Sequence, residues 1–229
     1  MEELENVFRQ LKKGRFILLH DSENREDETD MVVLAEHVRP EHIAKMRLDA
    51  GGLICAAVGN AAAKAIGLPF MADVLIEAEN TYPLLKRMHG EDIKYDKKSA
   101  FSLTVNHRKT FTGISDVDRA LTISELGIFC RDLKGLKDPA TVFGSKFRSP
   151  GHIALLLSSG LKNRQGHTEL TCAIAEMGGL TPSVVVCEMM DGKTHKSLTL
   201  KDAQIYAKKN DHALLEGKQV IEEYKKWLG

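Results

Sequence analysis

The chain has 229 residues, 43% hydrophobic and 28% charged, and its 32 basic and 32 acidic side chains cancel to no formal net charge. This composition excludes a largely disordered chain, and the balance argues against a nucleic-acid or anionic-membrane binder, which needs a basic excess or stripe. No apolar run approaches the roughly 20 residues that cross a bilayer. The acidic start Met-Glu-Glu-Leu-Glu is no signal peptide, and Cys55, Cys130, Cys172 and Cys187 include no CxxC pair. They read as reduced thiols of a cytoplasmic protein.

In chain order, Leu4, Val7, Phe8 and Leu11 predict a helix over 3–13 that stops at Gly14. A strand over 15–20 and another over 31–36 flank an acidic loop, and the two suit antiparallel pairing. Pro40 opens a helix to about Asp49, and Gly51-Gly52 turns the chain into Leu53–Val58, an apolar run suited to a strand buried on both faces. Residues 60–95 read as broken helix punctuated by Gly67, Pro69 and Pro83. Ser99–Val105 alternates like a strand, Asp116–Leu126 reads as a short helix, and 131–150 reads as a long basic surface loop. A strand over 153–157, a helix over 170–177 and a strand over 183–187 follow. Two helices close the chain, near 199–209 and 217–228, the second with Val220, Tyr224, Trp227 and Leu228 on one face. With no repeat and no linker, 1–229 reads as a single domain with a mixed sheet covered by helices.

The loop Asp21–Asp30 holds six carboxylates and one arginine in ten residues. Such crowding is tolerated where a cation neutralises it or where the loop stays hydrated. An EF-hand is excluded, because Glu26 and Val32 stand where its Gly and Glu belong. The loop alone fits two readings equally, oxygen ligands for Mg²⁺ or Mn²⁺ and a solvated turn.

Arg164-Gln165-Gly166-His167-Thr168 precedes an amphipathic helix. Its free amides, hydroxyl and guanidinium suit a phosphate, and His167 suits a metal. A plain helix cap explains Thr168 and Glu169 but leaves Arg164 and His167 without a purpose. Pro150-Gly151 predicts a turn presenting His152 at a strand edge, and Glu188 falls at the end of a Val-rich strand. Thr110–Asp116 offers hydroxyls around a glycine for phosphate binding or helix capping, and Cys55 reads as a small buried hydrophobe.

Together, Asp21–Asp30, Gly51–Cys55, Thr110–Arg119, Arg148–His152, Arg164–Glu169 and Cys187-Glu188 resemble, in order, the 3,4-dihydroxy-2-butanone 4-phosphate synthase family, with wording closest to its archaeal branch. The resemblance implies an α+β fold, a three-layer α/β/α sandwich. It implies conversion of D-ribulose 5-phosphate to L-3,4-dihydroxybutan-2-one 4-phosphate and formate, with Mg²⁺ or Mn²⁺. It also implies a homodimer with active sites at the interface. The family's metal ligands fall on Glu26 and His167, and its substrate contacts on Arg25, Glu26, Asp30 and Arg164 to Thr168. His152 and Glu188 are implied as needed for activity, and Asp30 and Glu28 join them as acid–base candidates. The second, GTP cyclohydrolase II-like domain of many relatives is not expected. Competing readings are a metal-dependent aldolase or isomerase, which would release no formate, and a binding protein without turnover.

Overall fold

Alternation along the strands sorts the core into two faces, and the helices are divided between them. The computed structural model describes every residue except 1, 89, 91 and 97. Its strands are β1 Ile17–His20, β2 Thr29–Leu34, β3 Cys55–Val58, β4 Phe101–His107, β5 Phe147–Leu157, β6 Ser183–Glu188, the short β7 Met190–Asp191 and β8 Lys196–Ser197, and β9 Leu214–Glu216. Its helices are α1 Glu2–Lys12, α2 Pro40–Lys45, α3 Asn60–Ile66, α4 Met71–Ala78, α5 Asp116–Asp132, α6 Pro139–Lys146, α7 His167–Met177, α8 Leu200–Asn210 and α9 Gly217–Trp227. The main sheet runs β4-β5-β3-β6-β2-β1-β9, and β7 pairs with β8 apart from it. It is mixed: β1–β9 and β3–β5 are parallel and the other neighbours antiparallel.

Met31, Val33, Leu155, Val185 and Cys187 face one core, against Ile43, Ile123, Leu126, Phe129 and Ala203 of α2, α5 and α8. Val32, Leu34, Leu156, Val184 and Val186 face the other, against Val7, Leu11, Leu170, Ile174 and Val220 of α1, α7 and α9. A sheet buried on both faces accounts for the near-continuous apolar strands. The predicted three-layer α+β sandwich is the observed one, with β1 and β2 antiparallel as expected. Among the described residues no helix is long and apolar enough to cross a membrane.

Several expectations are corrected. Residues 131–150 are no long loop. Asp138 caps α6 by accepting from the Thr141 amide, Pro139 sits at its first position, and β5 begins at Phe147. Phe143 carries this stretch into the core, stacked on Phe147 and edge-on to Phe129, a long-range contact invisible to local composition. The short helix predicted over 116–126 continues to Asp132, and the helix placed at 170 starts at His167. The helix after Pro40 widens into a π-helical turn, Met46–Ala50, before Gly51 reverses the chain at φ 90°. Of the four residues expected on one face of the last helix, Val220 and Tyr224 meet the core, joined by Ile221, while Trp227 and Leu228 are exposed.

Candidate active site

The acidic loop keeps its shape because one of its carboxylates serves the backbone. Asp21 accepts the amides of Glu26 and Glu28 at 3.1 Å each and a guanidinium N–H of Arg25 at 3.2 Å. Burial alone would raise its pKa, but His167 and these amides hold it below the usual carboxylate range. So engaged, Asp21 organises the loop and frees Glu26 to point inward. Glu26 reaches His167, its Oε2 lying 3.2 Å from Nδ1, while the other ring nitrogen lies 3.2 Å from the Glu28 carbonyl oxygen. The β2–β6 register places Asp30 opposite Glu188. Asp30 is buried, its Oδ1 has no hydrogen-bond partner, and it stands 3.7 Å from His167 Nε2.

Glu26, Asp30, Arg164, His167, Thr168 and Glu188 line one cavity of about 140 Å³, with Cys55, Tyr95 and Asp96. Glu188 accepts the Leu53 amide at 2.8 Å. Gly52 makes this possible, since a Cβ there would stand 2.6 Å from the Glu188 carbonyl oxygen and closer still to its carboxylate. Gly166 likewise leaves room for two arginines, because a Cβ would stand 2.7 Å from Arg25 and nearer to Arg164. It is also the N-cap of α7, with no side-chain cap, so Thr168 does not cap the helix and the first-turn amides remain available to a ligand. Glu169 is no mere first-turn acid: fully buried, it accepts from Arg164 at 2.6 Å and from the Ser159 amide at 2.9 Å.

These contacts set the electrostatics. Burial pushes Asp30 up to about 7, helped by Glu188, Glu26 and Glu28 and opposed by His167. Burial pushes His167 down, yet Asp30, Glu26 and Asp21 outweigh it and raise the ring to about 9. Asp21, Glu26 and His167 bring one ligand atom each to within 4.8 Å of one another. Neighbouring ligands on an octahedral Mg²⁺ at about 2.1 Å lie roughly 3 Å apart, close to the 3.2 Å between Glu26 and His167. The orphaned Asp30 oxygen supplies further negative charge beside them. The residues therefore fit a hard divalent ion on Glu26 and His167.

Not every predicted residue joins this cavity. Gln165 is exposed and lines a neighbouring groove with Ser22 and Lys218, and Arg25 lies on the wall of that groove rather than of the cavity. The Glu28 carboxylate turns to Ser197 at 2.6 Å. His152 is exposed and bonded to Asn106 by its amide and ring. The predicted turn before it is an outward excursion of β5: the register steps from Ile153 to Arg148 while β4 moves only from Val105 to Asn106. Sequence reasoning missed Asp21 as the loop's organiser, Glu169 as the brace of Arg164, and Asp96 altogether. The first could have been found from its place at a strand end facing free loop amides. Asp96 lies in a stretch with no recognisable pattern.

The 3,4-dihydroxy-2-butanone 4-phosphate synthase family model matches residues 5–223. The synthase of Methanothermobacter thermautotrophicus is 49% identical over 223 residues, covering 96% of this chain and 95% of its own. That of Archaeoglobus fulgidus is 45% identical over 228 residues, covering 98% and 95%. Among solved structures, a synthase in complex with two magnesium ions aligns with TM-score 0.73 at 25% identity, covering 97% of this chain and 96% of that one. The match spans both the acidic loop and the Arg164–Glu169 turn, so the chain belongs to the 3,4-dihydroxy-2-butanone 4-phosphate synthase family.

Proposed function

We propose that this cavity carries out the family's reaction, the conversion of D-ribulose 5-phosphate to L-3,4-dihydroxybutan-2-one 4-phosphate and formate in riboflavin biosynthesis. The observation that carries the reading is the meeting of Glu26 and His167, 3.2 Å apart, beside two arginines at an uncapped helix start. Arg164, Arg25, the first amides of α7 and the Thr168 hydroxyl hold the phosphate. Glu26 and His167 hold Mg²⁺ or Mn²⁺, which supplies Lewis-acid polarisation of the sugar oxygens. Asp30, with a pKa near 7, is suited to take and return protons at neutral pH. Glu188, fixed by the Leu53 amide, is a second acid–base group on the same wall. Glu28 and Gln165 bear on the site from outside the cavity.

His152 acts between protomers. Phe111 is 92% exposed on a loop braced by Asp118, which accepts the amides of Phe111, Thr112 and Gly113, and Ile114 and, in the first turn of α5, Val117 are also bare. A rigid apolar knob beside the His152–Asn106 pair supports a homodimer in which His152 of one protomer serves the cavity of the other. The protein works in the cytoplasm on a small sugar phosphate. Incubation with ribulose 5-phosphate, with and without Mg²⁺ or Mn²⁺, tests the reading. Ion-dependent formate, one per sugar consumed, is expected. Isomerised or cleaved sugar phosphate without formate would overturn it in favour of an isomerase or aldolase.

A further inference from the structure

Asp96 closes the anion site from above. Its Oδ2 accepts from Arg164 Nε at 2.8 Å and Nη2 at 2.7 Å, and also from Arg25 Nη2. One carboxylate oxygen thus holds both arginines, and the Asp96 side chain is only 10% exposed. Tyr95 adds its ring beneath the Arg25 guanidinium, 5.1 Å away. The arrangement leaves a donor unused: Arg25 Nε is buried without a partner, on a side chain only 9% exposed. Arg25 also pairs with Asp21 and Glu26, and Arg164 with Glu169, yet that Nε stays unpaired. Against the two oxygens of the Asp96 carboxylate, a phosphate monoester brings three terminal oxygens and about −1.5 to −2 charge.

We infer that Asp96 is an internal stand-in for the substrate phosphate, holding Arg25 and Arg164 in place until the phosphate displaces it, and so setting the affinity of this subsite for phosphate. The inference rests on the phosphate placement proposed above and adds a residue to it. Asp96 is a positioning residue, since it touches the arginines and leaves when the ligand arrives. Displacement has a cost, because three charge-assisted hydrogen bonds must be exchanged for those of the incoming anion. Phosphate binding is consequently weaker than the two arginines alone would give.

Binding of inorganic phosphate, ribulose 5-phosphate and unphosphorylated ribulose, measured by calorimetry at fixed ionic strength, tests this on the full chain and its Asp96→Asn and Asp96→Ala variants. Loss of the competing carboxylate should tighten both phosphate ligands by about five- to tenfold and leave ribulose unchanged. A purely structural role predicts the opposite, with loosened arginines and weaker phosphate binding. Unchanged or weakened phosphate affinity in variants that keep the wild-type melting temperature would overturn the inference. If the variants do not fold, hydrogen exchange at the wild-type Tyr95–Asp96 backbone decides between the two roles: displacement predicts faster exchange with phosphate bound, and slower exchange would refute it. Because inorganic phosphate needs no turnover, this result stands apart from the formate assay.

Discussion

Two histidines, one buried and one half-buried, each at an ionic cluster, meet opposite fates. His167 sits at the start of α7 among Asp30, Glu26 and Asp21, which raise it to about 9 against the downward push of burial. His212 follows α8 among Lys45 and Arg15, and there burial and the two cations act together and lower it to about 4. Its ring packs near Phe16 and Tyr206, and neither nitrogen has a partner. Desolvation is common to both rings, so the sign of the neighbouring charge makes the difference. The carboxylates around His167 make it a site for a cation. The cations around His212, with Asp49 already committed to Lys45 and Tyr206, leave a neutral packing ring.

The comparison is most severely tested by removing the ligands themselves. His167→Gln or Glu26→Gln should cut formate production by about 10³-fold or more, a loss on the scale of removing a principal electrostatic stabiliser. Both should also abolish Mg²⁺ binding by calorimetry. Since an ion must replace the proton that His167 carries below about pH 9, wild-type affinity should fall by about tenfold per pH unit on acidification, with about one proton released per ion. An ion affinity independent of pH from 6.5 to 8.5 would show that the carboxylates do not raise His167 as described. A smaller effect is expected at Gly52→Ala, whose new Cβ would press on Glu188 and its bond to the Leu53 amide. Displacing a positioned group costs up to about 10²-fold, so kcat should drop by about 10- to 100-fold while KM and Mg²⁺ affinity stay near wild type. A rise in KM with kcat unchanged would remove Glu188 from the chemistry.

The sequence was legible where residue type and spacing carry their own reason. Six carboxylates between two apolar runs marked the loop, and Arg164–Thr168 before a helix marked the anion turn; the structure brings Glu26 and His167 together from those two places. The apolar runs foretold the doubly covered sheet. What stayed hidden depends on partners distant in the chain. Asp96 acquires a role only because Arg25 and Arg164, 71 and 68 residues away, converge on it. Phe143 gives α6 its anchor only once Phe129 and Phe147 surround it. Glu169 looked like a helix-start acid because its partner, Arg164, precedes the helix and folds back over Gly166.

The smallest expected effect concerns His212 and stability alone. Its folded pKa of about 4 lies below the unfolded value near 6.5, so the unfolded chain takes up the proton first. Stability from this group is complete above about pH 6.5, declines as pH falls towards 4, and changes no further below that. Partial exposure and screening reduce the effect to about 1–2 kcal/mol. His212→Phe removes both unpartnered ring nitrogens and keeps an aromatic ring against Phe16 and Tyr206. Thermal unfolding of the variant should therefore match wild type at pH 7.5 and exceed it at pH 5. His167 supplies the internal control, because its raised pKa places its stabilisation below about 6.5 and loses it as pH rises through about 9. Its variant should lack that alkaline limb in ion-free protein, being less stable than wild type below about pH 6.5 and converging on it above about 9. If His212→Phe instead shifted that alkaline limb, the two rings would be coupled, and the opposed neighbourhoods would no longer explain them separately.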